Sequence, residues 1–157
     1  MHFVPLYLSI SALTPSQLYR STKAKREYVS THPECAMCGN QKYLEVHHVV
    51  PVHINPSLAD QQSNLITLCD GPNRSNSACH RYIGHLGNFR SKYNSNIRAQ
   101  CIINRYILEN TDPKRTFIFT WKQMLVEYSD MAGVNQNQMI DEIHRLSDIP
   151  KSKFIQG

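Results

Sequence analysis

Four cysteines in two pairs constrain the fold of this chain more than any other feature. Cys35 and Cys38 form a C-x2-C knuckle, and Cys69 and Cys79 form a C-x9-C pair. Two short loops that each offer two thiolates supply the four tetrahedral ligands of a structural zinc site. The second spacing is wider than the usual C-x2-C, and the inserted segment DGPNRSN accommodates it by looping out before Cys79. The pattern predicts a zinc site, with four reduced thiols in a core as the alternative.

The composition fits one domain of ordinary size with a polyanionic partner. The chain has 157 residues, a net charge of +5 and a pI near 9.0, and such a positive balance favours nucleic acid among possible partners. The opening MHFVPLYLSISAL lacks a basic n-region and a small-residue cleavage site, and it is too short to span a membrane. We therefore expect a cytoplasmic protein in a reducing compartment, in which clustered cysteines bind metal. Cys101 lies on an apolar helical face and is expected to be a core residue.

The order of predicted elements gives three regions. Residues 1–30 form an arm and a basic helix, which begins at Thr14 as N-cap and ends near Val29. Residues 31–93 form the core, with strands in YLEVHHVV and from Leu65 to Leu68, and then a short helix in ACHRYIGHLGNF that is interrupted or ended at Gly84 or Gly87. Residues 94–157 form a helical extension packed on the same domain, with helices in IRAQCIINRYILEN, WKQMLVEYSD and QMIDEIHRLSD and a possible strand in RTFIF.

The histidines are crowded into the same stretch as the cysteines. Six of the eight lie between His32 and His85, which favours a metal or catalytic site over scattered surface positions. His47 and His48 are adjacent on a predicted strand, where alternation points neighbours to opposite faces. Either one is buried and the other solvated, or the two have different chemical tasks.

Three segments in order, LEVHHVVP, SNLITLC and ACHRYIGH, resemble the HNH endonuclease family. They match its histidine pair, its central asparagine and its final histidine, and the C-x2-C knuckle is similar to that of the zinc-stapled branch. The resemblance covers about a third of the chain. It implies an α+β protein with a ββα-metal core, a four-cysteine zinc site and flanking N- and C-terminal helices. Compact stand-alone members of this build are typical of bacteriophages, so the resemblance also suggests a phage-encoded nuclease.

The resemblance implies a role for each matching residue. His47 and His80 would bind the catalytic divalent metal, and His48 would be the general base that deprotonates the attacking water. Asn64 would hold the loop and orient His48 by a hydrogen bond. His85 is the third metal ligand or a substrate-facing histidine, because a spacing of five residues rotates it off the face of His80 on a regular helix. Gly84 could distort the turn enough to bring it back.

The implied reaction is hydrolysis of DNA phosphodiester bonds by one metal ion, leaving 5′-phosphate and 3′-hydroxyl ends. Imidazole ligands suit Mn²⁺, Ni²⁺ or Co²⁺ at least as well as Mg²⁺. Four cations flank the site and suit phosphate contact: Arg74, Arg81, Arg90 and Lys92. A single site cuts one strand, so nicking is expected from a monomer, and whether the chain is a monomer or a homodimer stays open. A non-catalytic zinc module that binds nucleic acid is the alternative, and a secreted toxin nuclease of colicin type is disfavoured by the reduced cysteines.

Overall fold

The structure is a computed structural model that describes residues 22–71, 78–87 and 93–155. The chain divides into two compact units, Met1–Ser95 and Asn96–Gly157. The first unit contains the cysteines of the two pairs and the crowded histidines, and the second contains three helices. That the C-terminal helices pack on the same domain as the core stays a prediction.

Helix α1 spans Lys23–Thr31 and has its N-cap at Thr22. Thr22 has extended backbone angles, and its hydroxyl accepts a hydrogen bond from the Lys25 N–H at 3.2 Å, which satisfies one of the orphan donors of a first turn. A single helix from Thr14 to Val29 is therefore wrong, because the chain is extended at Thr22. The predicted start at Thr14 lies outside the described residues.

Two short antiparallel strands form the sheet of the first unit. Strand β1 spans Leu44–His48 and strand β2 spans Leu65–Cys69, and the register pairs Leu44 with Cys69 and His48 with Leu65. All five residues of β2 are buried, as expected of a strand covered on both faces. The connection contains two 3-10 turns, Pro56–Leu58 and Gln62–Asn64.

A π-helix, His80–Gly84, follows the sheet. Its end at Gly84 confirms the predicted interruption of that segment. The strand–strand–helix order, with a further helix before it and three after it, confirms the predicted α+β class.

The second unit consists of helices α2, Ile97–Thr111, α3, Trp121–Ala132, and α4, Gln136–Leu146. Capping boxes at Thr120 and Asn135 start the last two, and Gly133 ends α3 in the left-handed conformation. Cys101 is fully buried on α2, as predicted for a core residue.

The segment RTFIF is not a strand, which corrects the prediction. Among the described residues no strand pairs with this segment. The buried side chain of Arg105 on α2 contacts it instead: the guanidinium stacks 4.2 Å from the Phe117 ring centroid and donates to the Phe119 carbonyl. Phe154 in the tail, which had no readable signal in the sequence, is fully buried against Trp121 and Tyr106.

Within the described ranges, no helix is both long enough and apolar enough to cross a membrane.

Candidate metal centres and active site

The four paired cysteines meet in one cluster at the end of the sheet. Cys69 is the last residue of β2, Cys79 directly precedes the π-helix, and the knuckle turns back so that the Ala36 N–H donates to the Thr67 carbonyl at 2.9 Å. The sulfurs of Cys35, Cys38, Cys69 and Cys79 all lie within 4.8 Å of one another.

The spacing of these sulfurs suits a tetrahedral metal ion. A zinc–sulfur distance of about 2.3 Å places neighbouring sulfurs of a tetrahedron about 3.8 Å apart. The Sγ atoms of Cys38 and Cys69 are 3.7 Å apart. The donor set and its geometry therefore fit a closed four-thiolate site, as the two cysteine pairs predicted.

The thiols perturb one another strongly. Burial raises the pKa of Cys35, and hydrogen bonds from the neighbouring thiols add to this effect. Hydrogen bonds with Cys35 and the other two thiols lower the pKa of Cys38. A cation among the four sulfurs would favour the thiolate form at each of them.

Three histidine rings form a second cluster beside the sheet. The ring centroids of His47, His80 and His85 are 4.7–4.9 Å apart in each pair, and one nitrogen from each ring lies within 4.8 Å of the others. Three imidazoles with room for a further ligand are typical of a catalytic rather than a structural metal site.

His47 is the clearest sign that this cluster accommodates a ligand. Its side chain is 1% exposed, and neither ring nitrogen has a hydrogen-bond partner among the described residues. Burial, reinforced by the neighbouring His80 and His85, lowers the pKa of His47 to about 2. A neutral imidazole with unsatisfied nitrogens costs free energy unless something binds it, and a divalent cation would satisfy it. The residues present therefore fit a metal ion.

The π-helix brings His85 to the same face as His80. The His85 N–H donates to the His80 carbonyl at 3.1 Å, an i to i+5 bond that widens the turn. On an α-helix a five-residue step rotates a side chain by about 140° from its starting direction, whereas here the two rings meet. The predicted distortion near Gly84 thus exists, and the structure brings together all three histidines that the sequence singled out as ligands.

His80 also contacts two carboxylates. Its Nδ1 atom is 3.4 Å from Glu45 Oε2 and 3.4 Å from Asp70 Oδ2. Burial by itself lowers the pKa of His80, but the hydrogen bonds with Asp70 and Glu45 outweigh it, so that the pKa is raised. Burial by itself raises the pKa of Glu45, but the hydrogen bond with His80 and its charge outweigh burial and lower this pKa to about 2. Neither Glu45 nor Asp70 was predicted to be a site residue. Glu45 lies two residues before His47, so the two side chains are on the same face of the strand.

His48 is held by the loop that follows β1. Its Nε2 atom lies 2.9 Å from the Ala59 carbonyl. A carbonyl only accepts, so Nε2 carries the proton and the lone pair is on Nδ1. Burial lowers the pKa of His48, and the Ala59 carbonyl opposes this shift only in part. The ring is therefore a neutral base with its free nitrogen defined.

Asn64 holds the same loop but does not touch His48. Its Oδ1 accepts from the Val50 N–H at 2.8 Å, and its Nδ2 donates to the Val50 and Leu58 carbonyls at 3.0 and 3.3 Å. The direct hydrogen bond predicted between Asn64 and His48 is wrong, because the amide is fully used in closing the loop. Asn64 acts on His48 indirectly, by fixing the segment that carries Ala59.

A cavity of about 210 Å³ is lined by four of these side chains, those of His47, His48, His80 and His85. His48 is the last residue of β1, where the ladder stops, so it opens onto the same cavity as His47 although neighbouring strand residues alternate. Lys25 of α1 also lines this cavity, and the described lining contains no other lysine or arginine. From the sequence, Lys25 belonged only to the predicted basic helix of residues 1–30. His53, one of the six crowded histidines, also lines the cavity.

Of the four cations predicted to contact nucleic acid, Arg81 is the one that lies within the described residues. Arg81 is 38% exposed in its side chain and lies 3.5 Å from Asp70 Oδ1. The other three, Arg74, Arg90 and Lys92, lie outside the described residues.

Comparison with known proteins gives one match. Residues 35–84 match the family model for the HNH endonuclease, and this range spans the cysteine cluster, both strands and the π-helix. No curated protein and no solved structure matches the chain. The matched range and the observed strand–strand–helix core confirm the resemblance found in the sequence.

Proposed function

We propose that this chain, whose residues 35–84 form an HNH endonuclease domain, is a metal-dependent nuclease that hydrolyses DNA phosphodiester bonds. The HNH domain supports a nuclease in general. The observation that carries the specific proposal is the shared cavity, in which a three-histidine cluster, with both ring nitrogens of His47 unsatisfied, lies beside a histidine held in the neutral form. A module that only binds nucleic acid would need neither group.

Each residue has a task that follows from its contacts. His47, His80 and His85 would hold one divalent ion, for which Mn²⁺, Ni²⁺, Co²⁺ and Mg²⁺ are candidates. Such an ion supplies Lewis-acid stabilisation of the charge that develops on the phosphate oxygens. His48 takes a proton at Nδ1 from the attacking water, and the Ala59 carbonyl keeps that nitrogen free. Loss of a general base typically costs a factor of about 10²–10⁴ in rate.

The remaining features support binding and folding. Lys25 provides positive charge in the cavity for a phosphate, and Arg81 at the edge of the cluster is a second candidate contact. The four cysteines would hold a structural Zn²⁺ that closes the loop before the π-helix. In-line attack by water on the phosphorus, with cleavage of its bond to the 3′-oxygen, gives 5′-phosphate and 3′-hydroxyl ends, and one active site produces a nick.

The test is conversion of supercoiled plasmid to nicked and linear DNA. The native chain is expected to nick in the presence of Mn²⁺, Ni²⁺, Co²⁺ or Mg²⁺ and to stop on addition of EDTA. His48→Ala should lose at least about a hundredfold in rate while it retains zinc and its melting temperature. His144→Ala, a histidine change at an exposed position of α4, serves as the matched control and should cleave normally.

Two outcomes would contradict the proposal. Equal cleavage by His48→Ala would mean that another group is the base or that a contaminant cuts the plasmid. Tight DNA binding without cleavage under all four metals would support the non-catalytic zinc module instead.

A further inference from the structure

Glu45 lies on β1 and Asp70 directly follows β2, and the two carboxylates converge on one nitrogen of His80. Both Nδ1–carboxylate distances are 3.4 Å. Glu45 pairs with Leu68 in the register, so Asp70, two positions beyond Leu68, lies diagonally opposite on the same face. The Asp70 N–H donates to the Tyr43 carbonyl at 2.7 Å, which extends the ladder by one pair and fixes the backbone from which this carboxylate projects.

The position of Asp70 and His80 also depends on the cysteine cluster. Asp70 directly follows Cys69, and His80 directly follows Cys79. When the four sulfurs are held together, the next residue on each segment is brought to within hydrogen-bonding reach of the other. Arg81 lies 3.5 Å from the second oxygen of Asp70, close enough for an ion pair but without a hydrogen bond.

We infer that Glu45 and Asp70 are positioning residues that hold His80 through its Nδ1 atom and direct its Nε2 atom at the histidine cluster. The inference rests on the proposed function, because it treats that cluster as the metal site. Carboxylates accept hydrogen bonds only, so their presence places the proton on Nδ1 and leaves the lone pair on Nε2. A carboxylate behind a ligating histidine fixes the ring orientation and increases its basicity as a ligand.

The two carboxylates have unequal surroundings. Glu45 lines the cavity with Lys25, whereas Asp70 is outside that lining and faces Arg81. The side chain of Glu45 is 26% exposed and that of Asp70 is 12% exposed. Asp70 is therefore the anchor on the buried side, and Glu45 is the second acceptor on the solvent side.

The test measures Ni²⁺ affinity by calorimetry on the full chain with its cysteine site loaded with zinc. Glu45→Gln and Asp70→Asn should each weaken Ni²⁺ binding by about 10–100-fold, the range seen when such partners are removed. Glu27→Gln, on α1 and paired with Lys23 at 3.7 Å, removes the same charge from an exposed site and should bind Ni²⁺ as the native chain does. Zinc content after each titration shows that the cysteine site was not exchanged.

A spectroscopic measurement separates positioning from general stability. Nitrogen-15 NMR of the histidine rings in the Ni²⁺-free protein should show His80 in the Nδ1–H form. In the double variant the amides can also donate to Nδ1, so a shift of His80 towards the Nε2–H form is expected. If Asp70→Asn loses zinc and unfolds, Glu45→Gln alone still supplies the Ni²⁺ measurement, because its side chain is 26% exposed.

Native Ni²⁺ affinity in each single variant, or an unchanged His80 tautomer in a folded double variant, would overturn the inference, even if plasmid cleavage by the native chain had been established. Weakened Ni²⁺ binding together with the tautomer change would support it, even if no DNA were cleaved. The positioning role and the nuclease activity therefore fail or stand separately.

Discussion

Replacement of Gly84 by alanine tests whether close packing of the π-helix sets the geometry of the histidine cluster. A Cβ atom at this position would lie 3.1 Å from Leu68 Cδ1 and 3.2 Å from His47 Cε1. Unstrained carbon contacts are about 3.5–4.0 Å, so the helix or its neighbours must move by about 0.5 Å. Gly84 is therefore the residue that lets the helix approach His47 so closely.

The magnitude has two parts. Overpacking of this kind costs about 1–3 kcal/mol of stability, and each kcal/mol lowers the melting temperature by about 2–8 °C for domains of this size range. The new Cβ atom would also lie 3.3 Å from His47 Nδ1. The His47 ring should therefore move, and the relative positions of the three imidazoles should change. We expect Ni²⁺ affinity to fall at least about tenfold, since displacements near 1 Å at a reacting centre can cost about a hundredfold.

Calorimetry with Ni²⁺ and a thermal melt measure the two parts separately. Gly133→Ala is the matched control, because it adds the same methyl group where nothing lies within 4 Å but where φ is +69°. It should lose about 1–2 kcal/mol through the left-handed backbone and keep native Ni²⁺ affinity. If Gly84→Ala also keeps native Ni²⁺ affinity and native cleavage, contact between the helix and His47 does not set the site, and the reasoning is refuted.

Three further results are expected. The acidic limb of kcat/KM against pH should have its midpoint below the usual histidine value of about 6.5. Burial lowers the pKa of His48, so the unprotonated base persists to lower pH. A midpoint above 6.5 would count against His48 as the base. Cys38→Ser should lose the zinc equivalent and melt at lower temperature, whereas Cys101→Ser should retain zinc as measured by metal analysis. Lys25→Ala should weaken DNA binding and reduce the salt dependence of log Kd by about one, and Lys23→Ala, whose side chain is 84% exposed, should change both less; equal effects would place the phosphate contact elsewhere.

The chemistry of the site was readable from the residues themselves. Paired cysteines, crowded histidines and an asparagine in a fixed order predicted the match of residues 35–84 to the HNH endonuclease model, because metal binding and proton transfer require particular residue types. Short strands and capping residues also follow from local preferences, and the two strands lie where the sequence predicted them. The C-terminal helices were readable for the same reason, since apolar residues at helical spacing need only local information.

Contacts between segments distant in sequence could not be predicted. The contact of Ala59 with His48 could not be predicted, because it is made by a backbone carbonyl, which every residue has. Asn64 was given a direct bond to His48, but its amide closes the loop instead. The strand in RTFIF was wrong because no described strand pairs with that segment, which contacts Arg105 instead, and a local pattern does not report a partner distant in sequence.

The sequence by itself determined the set of donors: four thiols for one cluster and three imidazoles for the other. Only the tertiary structure decided how they meet. The widened turn at His80–Gly84 brings His85 back to His80, the sheet places Glu45 and Asp70 behind His80, and α1 brings Lys25 to the cavity. The physical reason is that residue type defines what an atom can bind, whereas orientation depends on packing and hydrogen bonds that form between elements.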